Sequence, residues 1–301
     1  MNSFASVSGT RPGDGTADHW PEMARQWEQI GPPLRPTAED IGFCWDAVQE
    51  WVRHRGRPRV LLLGVTPELY RLPWPKATDF LAVDRSQTMI DSVWPGPKEA
   101  VQCADWRELN LPESSRDVVL CDGGLHLLRY PEEQGRLVEV LQRVLSDRGL
   151  CILRLYVPPP QRESPDVVLG ELLEGKISSL NILKLRLGMS LLESASDGVE
   201  LGTIWRTIHA VAPDLVRLAS TIGWPVEHML AINAYRESTV RYHFVTVDEV
   251  SDLFCGSQRG FEVHRLHVAS YELGEQCPTI VLRRCRCTPA GHESRFKTVG
   301  S

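Results

Sequence analysis

Gly64 closes the apolar run Val60-Leu61-Leu62-Leu63, and Asp84 closes a second run, Leu81-Ala82-Val83, 20 residues later. A glycine at a strand end lets the backbone approach a ligand. An acid at the end of the next strand accepts hydrogen bonds from a ribose. The pair points to an adenosine-containing ligand. Between them, Gly64-Val65-Thr66-Pro67-Glu68 stands where a glycine-rich loop is expected. A β-branched Thr66 resists positive φ, so the loop cannot follow the usual path. Thr66-Pro67-Glu68 reads instead as a helix start, with an N-cap, a proline at the first helical position and an acid in the first turn.

Other residues carry chemistry further along. His126 lies in Asp122-Gly123-Gly124-Leu125-His126, where it is either a general base or a packed ring. Arg154 and Tyr156 end another apolar run. An arginine there needs a partner, either a substrate carboxylate or an internal acid. Trp205 and His209 share a helix face one turn apart. Tyr235, Arg241, Tyr242 and His243 cluster, and Tyr271, Glu272 and Glu275 follow in a loop. Such an aromatic and basic group suits a small anionic or aromatic substrate, although any one member can equally be ordinary packing. His126, His209 and Tyr242 are the candidate catalytic groups. Arg154, Tyr156, Trp205, Tyr235, Arg241 and Tyr271 are the candidate substrate contacts. No set of residues has convincing metal-ligand spacing.

The elements that must position these residues alternate from Arg59 onward. Strands are expected at 59–63, 80–83, 100–103, 117–121 and 150–156, and helices at 67–71, 86–92 and 132–146. Short apolar strands alternating with helices indicate a parallel sheet covered on both faces. Ser146-Asp147-Arg148-Gly149 reads as a turn feeding the fifth strand. Before this region, residues 20–55 read as helices, one with Trp20, Met23 and Trp27 at helical spacing and ended by Gly31-Pro32-Pro33. The next starts at an N-cap Thr37 with Asp40 three positions on.

Pro158-Pro159-Pro160 interrupts the alternation. Residues 159–243 then carry helical segments at about 164–174, 177–193, 203–209, 212–222 and 225–236, with no evident strand. Lys184 and Arg186 flank an apolar stripe there and read as a solvated edge. Thr246 caps a further helix, and 261–269 and 279–284 read as a closing pair of strands. The fold class is α/β: a doubly wound, Rossmann-like sheet, formed by 56–158 and 244–287, with a helical cap inserted over the substrate. Residues 1–19 read as a disordered tail and 288–301 as a loose one.

Composition sets limits. The formal net charge of −6, with no basic stripe, disfavours nucleic acid as a partner. No apolar run approaches membrane-spanning length, and the polar N-terminus has no signal-peptide core. Eight cysteines include no C-x-x-C pair, which fits a reducing cytoplasm. Cys103, Cys121 and Cys151 read as small core residues.

Residues 59–156 with 244–284 resemble a class I S-adenosylmethionine-dependent methyltransferase. The match runs through Asp84-Arg85-Ser86 with Met89, Cys103-Ala104-Asp105-Trp106, Asp117 to Leu128, Gly149-Leu150 to Tyr156, and Gly260-Phe261-Glu262-Val263. The resemblance implies a seven-stranded sheet whose last strand is antiparallel. It also implies binding of S-adenosyl-L-methionine, with S-adenosyl-L-homocysteine as product. By that likeness Asp84 would bind the ribose hydroxyls, Met89 would pack near the adenine, Asp105 would take the adenine amino group and Trp106 would cover the ring. Gly64, Thr66, Glu68, Arg85, Asp122 and Gly123 complete the implied cofactor set. The chain departs from the family in its glycine loop, where only Gly64 remains and Leu62 occupies the usual acid position. Glu68 then has two readings. It complements the helix dipole, or it replaces the lost acid and holds the cofactor's ammonium group.

The implied activity is methyl transfer to an O, N or C nucleophile of a small molecule. The alternative is a degenerate fold that binds a partner without catalysis. A nicotinamide-dependent oxidoreductase shares the glycine and the acid but needs a G-x-G-x-x-G turn, which this chain lacks.

Overall fold

The computed structural model describes residues 19–256 and 259–285. In chain order the strands are β1 (Arg59–Leu63), β2 (Asp79–Asp84), β3 (Val101–Cys103), β4 (Arg116–Asp122), β5 (Leu145–Arg154), β6 (Val199–Glu200), β7 (Arg241–Tyr242), β8 (Phe261–His267) and β9 (Thr279–Arg284). The α-helices are α1 (Trp20–Arg25), α2 (Ala38–Arg55), α3 (Pro67–Tyr70), α4 (Gln87–Val93), α5 (Glu132–Val144), α6 (Pro165–Leu173), α7 (Leu180–Ser190), α8 (Leu201–Val211), α9 (Leu215–Ile222), α10 (Val226–Leu230) and α11 (Val247–Cys255).

Seven strands form one sheet in the order β3-β2-β1-β4-β5-β9-β8. β1 to β5 are parallel, and β9 runs antiparallel to both β5 and β8. Alternate residues of each central strand feed opposite faces, as the period of two requires. Val60, Leu62, Val118, Leu120 and Ile152 pack against Cys44, Ala47 and Val48 of α2. Leu61, Leu63, Val119, Cys121 and Leu153 pack against α5 and α11. The sheet is thus covered on both faces, as its nearly continuous apolar strands demand.

Thr37 and Thr246 form full capping boxes with Asp40 and Glu249 at the starts of α2 and α11. A third set of apolar side chains, from α6 to α9 and the turn that follows α10, forms a separate core beside the sheet. This is the helical region expected at 159–243.

Local details differ from the sequence reading. The Ser146–Gly149 segment lies within β5 rather than before it. Arg148 takes a positive φ of 58° there, and the pairing with β4 shifts between Arg116 and Val118. β5 ends at Arg154, so Tyr156 lies beyond it. Cys103 is exposed at the end of a short strand, whereas Cys121 and Cys151 are core residues. The helical region does contain strand: β6, near its middle, pairs with β7 at its carboxyl end. Lys184 is buried rather than part of a solvated edge, while Arg186 pairs with Glu163 and Glu171. His19 is buried and does not belong to a tail. Residues 1–18 and 286–301, with the expected tails and Cys287, lie outside the described residues.

Candidate functional site

Between β1 and β4 the strand order reverses direction, and the carboxyl ends of the strands diverge to leave a crevice. A cleft of about 1050 Å³, its open mouth included, lies there. The ends of β1 to β4 all reach it. Gly64, Thr66, Asp84, Arg85, Met89, Asp105, Trp106, Asp122, Gly123, His126, Tyr156 and Tyr242 line it together.

Gly64 has φ of 100° and donates its amide to the Val83 carbonyl at 2.7 Å. A side chain there would meet no atom within 4 Å, so the missing Cβ leaves an open cradle at the strand end. Asp84 accepts the Ser86 amide at 2.8 Å, and Ser86 caps α4 through the Met89 amide. That cap sets Met89 against the cleft. Trp106 is fixed by its indole N–H donating to the Val83 carbonyl at 2.7 Å. Gly124 is required beneath it, because a Cβ there would lie 2.8 Å from the Trp106 ring.

The aromatic wall comes from another direction. His126 is buried, edge-on to Tyr242 at 4.4 Å between centroids and parallel to Phe244 at 5.7 Å. Tyr242 meets His19 Nε2 through its hydroxyl at 3.3 Å. Burial lowers both His126 and His19 to about 3 and pushes Tyr242 up to about 12. Both imidazoles are therefore neutral and weakly basic near neutral pH. The Nδ1 atoms of His19 and His126 are buried without a hydrogen-bond partner.

Several expected site residues are committed elsewhere. Arg154 is 3% exposed and pairs with Asp122 at 2.5 Å. It also donates to the Pro33 carbonyl at 2.7 Å, while the Tyr156 hydroxyl donates to the Leu34 carbonyl at 3.0 Å. Burial opposes the guanidinium's charge, but Asp122 outweighs it and holds Arg154 well above arginine's ordinary range. Its partner is therefore the internal acid, not a substrate carboxylate. Glu68 does not line the cleft. Its Oε1 accepts from Arg35 Nε at 2.8 Å, so an internal cation pairs with one carboxylate oxygen, while Oε2 is buried without a hydrogen-bond partner. Thr66 precedes α3 but its side chain makes no cap bond, and the proline at the first helical position sets the turn. The Asp105 carboxylate is taken by Arg107 at 2.9 Å, whose bonds hold it below the usual carboxylate range.

His209 and Trp205 do share a face of α8, 3.9 Å between ring centroids, but neither lines the cleft. Trp205 donates to Asn233 at 3.0 Å instead. Arg241 is exposed on β7 and donates to the Asp197 carbonyl at 2.7 Å. Tyr271 donates to Asp40 Oδ1 at 3.3 Å, tying the last loop to the start of α2. Tyr235 is fully buried behind Tyr242.

The remaining walls were not anticipated as site residues. Trp20, Met23, Trp27, Ile30 and Leu34 roof the cleft from the N-terminal segment. The helical spacing of Trp20, Met23 and Trp27 showed an apolar face; only its destination was missing. Among the described residues no His, Cys, Asp and Glu cluster is arranged to hold a metal ion.

Comparison with known proteins gives a consistent picture. A family model described as a methyltransferase domain matches residues 61–153. The CcbJ methyltransferase from Streptomyces caelestis superposes with a TM-score of 0.53 at 15% identity, covering 91% of this chain and 100% of that one. A protein described as a putative Zn-dependent alcohol dehydrogenase from Rhodobacter sphaeroides superposes with a TM-score of 0.50 at 14% identity, covering 87% and 98%. At such identities the likeness is one of fold. No curated protein matches the chain significantly in sequence.

Proposed function

We propose that this chain, whose residues 61–153 match the model of a methyltransferase domain, is a class I S-adenosylmethionine-dependent methyltransferase, that the cleft binds S-adenosyl-L-methionine and that the acceptor is a small molecule. One observation carries the reading. The open cradle at Gly64, the acid Asp84, Met89 and the fixed indole of Trp106 all face one cleft at the switch point of the sheet. Bound there, the cofactor supplies a methyl group on a sulfonium, ready for in-line displacement by an O, N or C nucleophile.

Each residue then has a part. Asp84 takes the ribose hydroxyls, Met89 and Trp106 enclose the adenine, and Gly64 and Thr66 let the backbone approach the methionine end. Asp105 and Glu68 contribute through Arg107 and Arg35 rather than directly. The Trp20–Leu34 segment excludes water, and His126, Tyr156 and Tyr242 shape the acceptor side. Catalysis of this kind rests mainly on positioning. A neutral His126 with its pKa near 3 is a poor base at neutral pH, so the reading favours an acceptor that arrives unprotonated.

The helical region 159–243 is read as the cover of the acceptor. Among the described residues no helix is long and apolar enough to cross a membrane. The seven described cysteines are all free, which supports a reducing compartment such as the cytoplasm.

Calorimetry with S-adenosylhomocysteine tests the reading. The wild-type protein should bind it, and Asp84→Ala should weaken binding about 10- to 100-fold, as loss of a charged hydrogen bond implies. Absence of binding to the wild type would overturn the reading, and unchanged binding by Asp84→Ala would remove Asp84 from the site.

A further inference from the structure

A second pocket, enclosing about 510 Å³ with its mouth, lies between the N-terminal segment and the helical region. Lys184 lines it and is only 4% exposed. Among the described residues it makes no ion pair, and no aspartate or glutamate lines the pocket. Glu272 accepts the hydroxyl of Ser178, one of the lining residues, at 2.6 Å. A buried ammonium without an anion is costly, and chains rarely keep one without use. Burial alone lowers this lysine to about 8, so it still carries its proton at neutral pH. The Tyr235 ring, 4.9 Å from its Nζ, supports the charge from one side.

The local geometry also suits an anion. Lys184 sits on the second turn of α7, and helical side chains lean back toward the N-terminus. That direction brings it to the first turn, where Ser179 caps the helix and Leu180 and Asn181 also line the pocket. The amides of a helix's first turn have no intrahelical acceptor, and the dipole there favours negative charge. Trp224 and Leu180 add apolar surface beside these donors. Ile30 lines both this pocket and the cleft, so the two are neighbours.

We propose that this pocket holds the carboxylate of a small organic acid, with Lys184 as its charged partner, and that it anchors the methyl acceptor beside Ile30. The acceptor role rests on the transferase reading; the carboxylate site does not. Lys184 is the one lysine or arginine among the lining residues, with His228 also on the wall, so the pocket suits the single charge of a carboxylate better than a phosphate dianion.

Benzoate and inorganic phosphate are the probes, titrated by ligand-observed NMR into the protein with S-adenosylhomocysteine. Benzoate should bind the wild type, and Lys184→Met should weaken it about 10- to 100-fold while leaving S-adenosylhomocysteine affinity unchanged. A second measurement needs no variant: amidination of Lys184, followed by mass spectrometry, should slow when benzoate is present. Equal benzoate binding by Lys184→Met, no benzoate binding, or preference for phosphate would each overturn the carboxylate site. Lys184-dependent benzoate binding by a protein that fails to bind S-adenosylhomocysteine would overturn the acceptor role, and would separate that failure from one of the pocket.

Discussion

His19 and His126 are buried against the aromatic wall of the cleft, and burial lowers each to about 3 from an ordinary value near 6.5. The consequence for stability has a definite sign. Between these values the unfolded chain binds protons that the folded chain refuses, so stability rises with pH and falls as the solution is acidified. The loss begins below about pH 6.5 and continues toward pH 3, at about 1.4 kcal/mol per pH unit for each histidine. Thermal unfolding from pH 7.5 to 4.5 should show this decline, and His126→Phe should flatten it. An equally steep decline in the variant would mean that His126 is not buried as described. The same burial explains why His126 was readable both as a base and as a packed ring. Its position after β4 is local, but its basicity depends on Tyr156, Tyr242 and Phe244, which come from distant parts of the chain.

Arg154 and Asp122 join elements rather than hold a substrate. The pair links the ends of β5 and β4, and the guanidinium then reaches the Pro33 carbonyl, 121 residues away in sequence. Tyr156 repeats the connection at Leu34. The segment entering α2 is thus bolted to the sheet beside the cleft. Removing one partner of a buried pair leaves the other charge uncompensated, at a cost of about 3–5 kcal/mol. Arg154→Met should lose about that much in urea unfolding, and Arg154→Met with Asp122→Asn should lose less than the sum of the two single changes. Additive losses would show that the pair is not coupled. The elements themselves were largely legible. β1, β2, β4 and β9 announce themselves by apolar runs, and α2 and α11 by their capping boxes, because these signals are local. The β6–β7 pair was hidden: its two-residue strands are too short for any alternation and lie 41 residues apart. The Ser146–Gly149 turn was placed before the strand for a related reason: it is an unpaired bulge, and only the pairing of Leu145 with Arg116 shows that β5 begins ahead of it.

At the scale of the whole molecule, the cleft is built by three bodies of chain: strand ends below, the Trp20–Leu34 segment above, and Tyr242 from the end of the helical region at one side. On binding S-adenosylhomocysteine, hydrogen exchange should slow at residues 20–34 as well as at 64–66 and 84–89, because ligand binding stabilises every element it touches. Protection confined to the strand ends would place the N-terminal segment outside the site. Sequence by itself determined the parallel core and the placing of Gly64 and Asp84 at strand ends, because apolar periodicity and the residue that closes each run are local signals. Met89 and Trp106 were expected beside them only through the resemblance to class I methyltransferases, and the strand order β3-β2-β1-β4-β5-β9-β8 that opens the crevice is seen in the structure. Tertiary structure alone decided that Glu68 and Asp105 are taken by Arg35 and Arg107, that Arg154 is internal, that His209 stands away from the cleft, and that Trp20, Trp27 and His19 belong beside it. A charged group goes to the partner that packing brings closest, and packing joins residues whose spacing along the chain carries no sign of it.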